Sequence, residues 1–451
     1  MQASAQIQRT DFPADFTWGV ATSAFQIEGG AKEDGRGDSI WDDFCRQPGK
    51  IADASTGDVA CDHYHRWESD LDLIASLGVR DYRFSIAWPR VQPLGYGAWN
   101  EAGLAFYARL LQGLQARGIR AHVTLNHWDL PSALQAQGGW TARSTVHHFV
   151  QYALGIAQRF GRQITSLCTH NEPWVVAVLG HEQGIFAPGL RSRAAALQVA
   201  HHLLLSHGLA LRALREQGFG GKLGIVLNMA PAYPATDSEA DRAKAVIDDG
   251  SGLRWYVDPL LRGAYPADVL QHVGTDAPKM EPGDLDAIAA PLDFLGINYY
   301  SRHMASADGS WNAATSGLER TDMGWEIYPK GLSDLLVRLH RDYTLPTVLV
   351  TENGAAFADV KQGNGVADAP RVRYLQEHIG AVAHARAQGV PVQGYFVWSL
   401  MDNFEWASGY AKRFGIVHVD YATLQRTPKD SALWYRDFLA GHTAAIRLQG
   451  S

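Results

Sequence analysis

The chain has 451 residues, of which 46% are hydrophobic and 19% charged, and its formal net charge is −7. That apolar share supports a large core and excludes a disordered chain, and a mildly acidic sequence without basic runs has no electrostatic pull toward nucleic acid or anionic lipid. Three cysteines, Cys45, Cys61 and Cys168, make no disulfide framework. The first residues lack an apolar signal segment and no run approaches roughly 18 consecutive apolar residues, so no membrane span and a reducing, cytoplasmic setting are expected.

Strand-like runs and helical stripes alternate along the chain. The first run, 16–21, is followed closely by Gln26 and Glu28. A stripe of Trp67, Leu71, Ile74 and Leu77 at helical spacing leads to the second run, 81–87, with Arg83 expected at the strand end. Leu104, Tyr107, Leu111 and Leu114 form the next stripe, ahead of a third run, 121–125, that ends in Asn126, His127 and Trp128. Val146, Phe149, Ala153, Ile156 and Phe160 precede the fourth run, 166–169, which closes on His170, Asn171, Glu172 and Pro173. The fifth and sixth runs are 223–227 and 294–298, the sixth running into Asn298, Tyr299 and Tyr300. Leu332, Leu335, Leu336 and Leu339 lead to the seventh, 348–351, which continues into Glu352, Asn353 and Gly354; the eighth, 395–399, carries Trp398.

Continuous apolar strands separated by amphipathic helices describe a parallel sheet covered by helices, and eight such units close into a (β/α)8 TIM barrel. A doubly wound open sheet is the competitor, but no strand is followed by a glycine-rich dinucleotide turn. No linker divides the sequence, so one catalytic domain is expected over 1–451, with a core of about 12–438. Two longer connections, 230–293 and 301–328, are expected to extend the top face as walls around a central pocket.

Polar residues collect at strand ends, where this architecture places its chemistry. Two carboxylates, several amides, a histidine and aromatic rings should meet at one mouth. Glycosidic hydrolysis needs such a set: the leaving oxygen must be protonated and the anomeric carbon attacked or stabilised, and two carboxyl groups do both. Amides and imidazoles give directional hydrogen bonds to hydroxyls, and rings stack on the apolar faces of sugars.

The segments Thr169–Pro173 and Thr351–Gly354, together with those starting at Phe16, Arg83 and Trp398, resemble glycoside hydrolase family 1, the β-glucosidase family, over about 12–438. The resemblance implies a retaining exo-β-glycosidase, a β-glucosidase first of all, with Glu172 as acid/base and Glu352 as nucleophile. Arg83 and Tyr300 would support Glu352. Gln26, His127, Trp128, Asn171, Glu405 and Trp406 would hold the terminal sugar over Trp398, Asn298 would hydrogen-bond within the site, and Trp325 would flank the leaving group. Glu405 in place of a small hydroxyl and lysine speaks against a 6-phospho-sugar. The plainer alternatives are a surface ion pair for either glutamate, a structural histidine at His127 and core roles for Trp398 and Trp406.

Cys61, His63 and His65 cluster, but their spacing lacks a fourth ligand, and the chemistry requires neither metal nor cofactor. The partners implied are small β-glucosides or cello-oligosaccharides, not nucleic acid or a membrane; the oligomeric state is left open. The rival readings are a β-galactosidase or β-fucosidase, a transglycosylase, and a sugar-binding barrel without catalysis.

Overall fold

All eight runs are strands in the computed structural model, which describes residues 7–363 and 365–442. The expected domain limits at residues 1 and 451 fall outside the described residues. The strands are β1 (Thr17–Ala21), β2 (Asp81–Ser85), β3 (Arg120–Asn126), β4 (Ile164–Asn171), β5 (Lys222–Asn228), β6 (Phe294–Asn298), β7 (Thr347–Asn353) and β8 (Val392–Trp398). They pair in parallel in chain order, and β8 returns to β1 to close the barrel, with Ala21 opposite both Arg83 and Trp398.

Closure buries both faces of each strand, which is why the runs read as continuous apolar stretches rather than alternating ones. All five residues of β2 and of β6 are buried. The strands extend further than their apolar runs. β4 continues through His170 and Asn171, and β7 includes Glu352, because the backbone stays paired while polar side chains replace apolar ones at the mouth. Arg83 is the third residue of β2 rather than its last. It lies lower in the barrel than expected and reaches upward with its long side chain.

The helical stripes face the barrel. The covering helices are α1 (His63–Ser76), α2 (Glu101–Ala116), α3 (Arg143–Phe160), α4 (Arg193–Glu216), α5 (Pro329–Asp342), α6 (Ala369–Ala387) and α7 (Asp430–Leu439). Leu332, Leu335, Leu336 and Leu339 of α5 are each 0% exposed, while Lys330 and Arg341 on the same helix face solvent. Among the described residues only α4 has the length and mean apolarity to cross a bilayer, and most of it is buried inside the protein.

The connection 230–293 is not a structureless loop. It folds as helices Glu239–Asp249, Trp255–Arg262, Ala267–Val273 and Asp284–Ile288, with a π-helical turn at Gly250–Arg254. Its start, Ala232–Pro234, pairs in parallel with His303–Ala305 from the second long connection. A second π-helical segment, Val175–Glu182, follows β4 directly.

Candidate active site

The barrel mouth opens into a cavity of about 550 Å³. Glu172 and Glu352 both line it, as do His127, Trp128, Asn298, Tyr300, Trp325, Trp398, Glu405 and Trp406. His127, Trp128, Glu172, Asn298, Tyr300, Glu352 and Trp398, read at strand ends, thus meet at one mouth, joined by Trp325, Glu405 and Trp406, which the family resemblance implied.

The backbone turns sharply to present Glu172. Its amide still donates to the Val226 carbonyl at 2.9 Å, as a continuation of β4, but its own φ is +51°. A left-handed conformation costs a non-glycine residue about 1–2 kcal/mol. Pro173 follows, and the Val175 amide then donates to the Glu172 carbonyl to start the π-helical segment. Trp128 at the end of β3 and Trp406 beyond β8 also take positive φ, +78° and +48°. Three cavity-lining side chains are thus held by backbone that only a stable surrounding fold would maintain.

Arg83 joins the two sides of the mouth. One guanidinium nitrogen donates to Glu352 Oε1 at 2.5 Å and to the Thr351 carbonyl at 3.2 Å; the other donates to Asn171 Oδ1 at 2.6 Å. The Tyr300 hydroxyl donates to the other Glu352 oxygen at 2.6 Å. On the opposite side, Asn298 Nδ2 donates to Glu172 Oε1 at 2.6 Å and to Asn171 Oδ1 at 3.1 Å, while its own oxygen accepts from Thr351 at 2.7 Å. Since Asn171 Oδ1 accepts twice, its nitrogen is the donor to His127 Nε2 at 3.2 Å. The His127 proton then sits on Nδ1, which has no partner among the described residues.

Electrostatics separates the carboxyl groups. Burial, and then the negative charge of Glu352, push the Glu172 carboxyl up to about 8, against the Asn298 donor and Arg83, which pull it down. Glu352 instead has two donors on its oxygens and a guanidinium in contact. Burial, with Arg83 nearby, drives the His127 imidazole well below its usual range and keeps it neutral. Burial followed by Glu352 also raises Glu405 to about 8.

Gln26 and Asn171, both expected to touch the sugar, are fully buried behind the cavity surface. Gln26 Nε2 donates to Asn403 Oδ1 at 3.0 Å and to the Phe404 carbonyl at 2.9 Å, with Glu405 at 3.5 Å. Trp398 and Trp406 each line the cavity while only 3% exposed, so cavity wall and core describe the same rings. The His127 ring lies nearly parallel to both, at 5.8 and 6.1 Å. Trp325 stands beside Tyr300 and Phe414 at the outer rim.

Glu28 is not a site residue: it pairs with Arg90 at 2.8 Å and accepts from Tyr107. The Cys61, His63 and His65 cluster is likewise spoken for, since His63 bonds Asp70, His65 bonds Asp62 and Glu33, and the Cys61 thiol donates to the Asp402 carbonyl. Sequence reasoning missed Trp174, Phe186, Asp248, Ser251 and Phe414 along the cavity wall. Trp174, two residues beyond Glu172, carried a positional signal. Asp248 and Ser251 carried none, because they come from the helical insertion.

The comparisons with known proteins agree with this geometry. The family described as Glycosyl hydrolase family 1 matches residues 8–443. A protein named Beta-glucosidase A from Acetivibrio thermocellus is 46% identical over 96% of this chain and 99% of its own length. A bifunctional beta-D-glucosidase/beta-D-fucosidase from Bifidobacterium breve is 42% identical over 96% of this chain and 99% of its own. The solved family 1 β-glucosidase from Thermotoga maritima superposes with a TM-score of 0.93 at 43% identity, covering 97% of this chain and 99% of that one. A closed parallel barrel, two buried glutamates across one cavity and near-complete alignment at this identity lead to one conclusion: the chain belongs to glycosyl hydrolase family 1, the glycoside hydrolases acting on O-glycosyl bonds.

Proposed function

We propose that this hydrolase is a retaining exo-β-glucosidase, with Glu352 as nucleophile and Glu172 as acid/base. One observation carries the assignment. Both glutamates line a single cavity, and the environment divides their roles, since burial keeps a proton on Glu172 while Glu352 sits between Arg83 and Tyr300.

In the first step the Glu352 carboxylate bonds to the anomeric carbon. The bond from that carbon to the leaving oxygen breaks, and Glu172 gives its proton to that oxygen. The covalent ester neutralises Glu352 and so removes the charge that helped raise Glu172. Glu172 then becomes the stronger acid and is ready to act as base. In the second step water attacks the anomeric carbon, Glu172 takes its proton, and the ester bond to Glu352 breaks, releasing β-glucose. His127, Glu405 and the Trp398 ring line the space for the terminal sugar, and Trp325 and Trp174 stand toward the leaving group. β-Glucosides and cello-oligosaccharides are the substrates this arrangement suits. Three buried, unpaired cysteines suit a cytoplasmic setting.

The experiment is Glu352→Gly with azide. Hydrolysis of nitrophenyl β-glucoside should fall by several orders of magnitude, and azide should restore turnover with α-glucosyl azide as product. Undiminished hydrolysis in the variant, or a β-linked azide product, would refute the nucleophile assignment. A relative named for both glucosidase and fucosidase activity supports a second reading, in which β-fucosides are also accepted. Initial rates on the two nitrophenyl glycosides decide it.

A further inference from the structure

The centre of the barrel departs from the packing its architecture favours. Inward positions of parallel barrels are filled chiefly by branched apolar side chains. On β3, His122 and Thr124 share one face, as do Ser166 and Cys168 on β4, two residues apart on each strand. The pairing sets Arg83 of β2 opposite His122, and Thr124 opposite Cys168. The His122 ring meets Phe396 of β8, a strand with which β3 does not pair, so this face is the barrel interior. Beneath the mouth, Arg83, Thr124 and Ser166 line a cavity of about 10 Å³, about the room one water needs.

Two buried groups at this cavity lack a protein partner. The Arg83 guanidinium spends its terminal nitrogens on Glu352, Asn171 and the Thr351 carbonyl, but its Nε–H has no partner among the described residues, and neither has the Thr124 hydroxyl. Arg83 is 3% exposed and Thr124 1%. Buried polar groups are normally paired, and leaving one unpaired is costly. The apolar part of the wall, Val226, Phe294, Leu349 and Phe396, offers no side-chain acceptor. The Cys168 sulfur beside Thr124 accepts only weakly, and its own proton goes to the His170 carbonyl at 3.0 Å. Ser166 does have an acceptor to spare. Asp81, paired with Arg120 at 2.7 Å, accepts from His122 Nε2 at 2.8 Å. Nδ1 of the neutral ring then accepts the Ser166 proton at 2.7 Å, and the Ser166 oxygen keeps its lone pairs.

We propose that this cavity is a water-binding site, and that Thr124 is a positioning residue that acts through the bound water on Arg83. The water accepts the Arg83 Nε proton and bonds the Thr124 hydroxyl and the Ser166 oxygen, and about three partners is usual for a buried water. A guanidinium is planar and its donors form a fixed fork, so anchoring Nε from below sets the aim of the other two nitrogens at Glu352 and Asn171. The effect on turnover rests on the reading of Glu352 as nucleophile.

The test compares the native chain with Thr124→Val, which keeps the shape and removes the hydroxyl, and Thr124→Ser, which retains the hydroxyl. Were the hydroxyl simply orphaned, valine would relieve it and raise the melting temperature; with the water in place valine removes one of its partners, so the melting temperature should fall. On nitrophenyl β-glucoside, kcat of Thr124→Val should drop about threefold to tenfold with KM little changed, the worth of one hydrogen bond. The rate at which 2-deoxy-2-fluoro-β-glucosyl fluoride labels Glu352 should drop in step, and Thr124→Ser should keep most of both rates. A crystal structure of the native chain should show one ordered water within hydrogen-bond reach of Arg83 Nε and the Thr124 oxygen. A raised melting temperature or a native kcat in Thr124→Val, a loss in Thr124→Ser as large as in Thr124→Val, or a native crystal structure without that water would overturn the site. Failure of the reagent to label Glu352 in the native chain would instead sink the nucleophile reading.

Discussion

Asn298 lies between the two sides of the mouth, giving one proton to Glu172 and one to Asn171 while accepting from Thr351. Its donor stabilises the charged form of Glu172 and so opposes burial and the Glu352 charge, which raise that carboxyl. The sign of a substitution follows. Asn298→Ala removes a downward influence, so the alkaline limb of the kcat/KM profile, where the acid loses its proton, should move to higher pH. Loss of a hydrogen bond to a charged group is worth about 1.5–3 kcal/mol, so kcat/KM at its optimum should also fall by about tenfold to a hundredfold. A limb that stays in place or moves to lower pH would show that Asn298 does not set the Glu172 equilibrium.

The positions of strand ends bear on catalysis at the scale of elements. Beyond β7 the chain passes so close to the end of β8 that a Cβ on Gly354 would lie 1.7 Å from the Trp398 carbonyl oxygen. Only glycine permits that approach. Gly354→Ala must push Glu352 and Trp398 apart, at a cost of about 1–3 kcal/mol in stability for overpacking, with a large loss of kcat. Leu336→Ala is the comparison: it opens a void between α5 and the barrel and should cost about 2–5 kcal/mol in urea unfolding. That helix lies outside the catalytic barrel mouth, so kcat per folded molecule should hold. Equal kcat in both variants would contradict the claim that the β7–β8 contact sets the site.

Across the whole molecule, buried charge is distributed with opposite consequences. Lys429 joins Asp402 at 2.7 Å and Asp359 at 2.5 Å, and Arg371 joins Asp359 at 2.6 Å, tying the segments after β7 and β8 to α6 and α7. Burial raises Asp402, but Lys429 and Arg413 outweigh it and leave the group below its ordinary 3.8. Its contribution is full above that value and is lost as pH falls through the folded-state value. Glu172 is the reverse case. Its folded value is about 8 against an ordinary 4.5, so holding its proton costs increasing stability as pH rises between them. Glu172→Gln removes that cost and keeps an oxygen for Asn298. Its melting temperature should exceed the native one, by more at pH 8 than at pH 5, while hydrolysis of unactivated glucosides collapses. A gain that does not grow with pH would contradict the raised Glu172 equilibrium.

The sequence alone determined the barrel and its two central glutamates. Parallel burial writes each strand as an apolar run, helical spacing writes each covering face, and Leu332 to Leu339 or Val146 to Phe160 are legible because those patterns are local. Glu352 was legible because it directly follows an apolar run and Glu172 because it stands three residues beyond one, where this architecture exposes side chains to the mouth, and both fall in segments that resemble the family. Tertiary structure alone decided the remainder. The lower seat of Arg83, the burial that raises Glu405, the retreat of Gln26 behind the wall and the cavity lined by Trp174, Asp248 and Ser251 all depend on contacts between segments far apart in the chain. Side-chain reach, desolvation and cavity shape are set by those non-local contacts, and no periodicity along the chain encodes them.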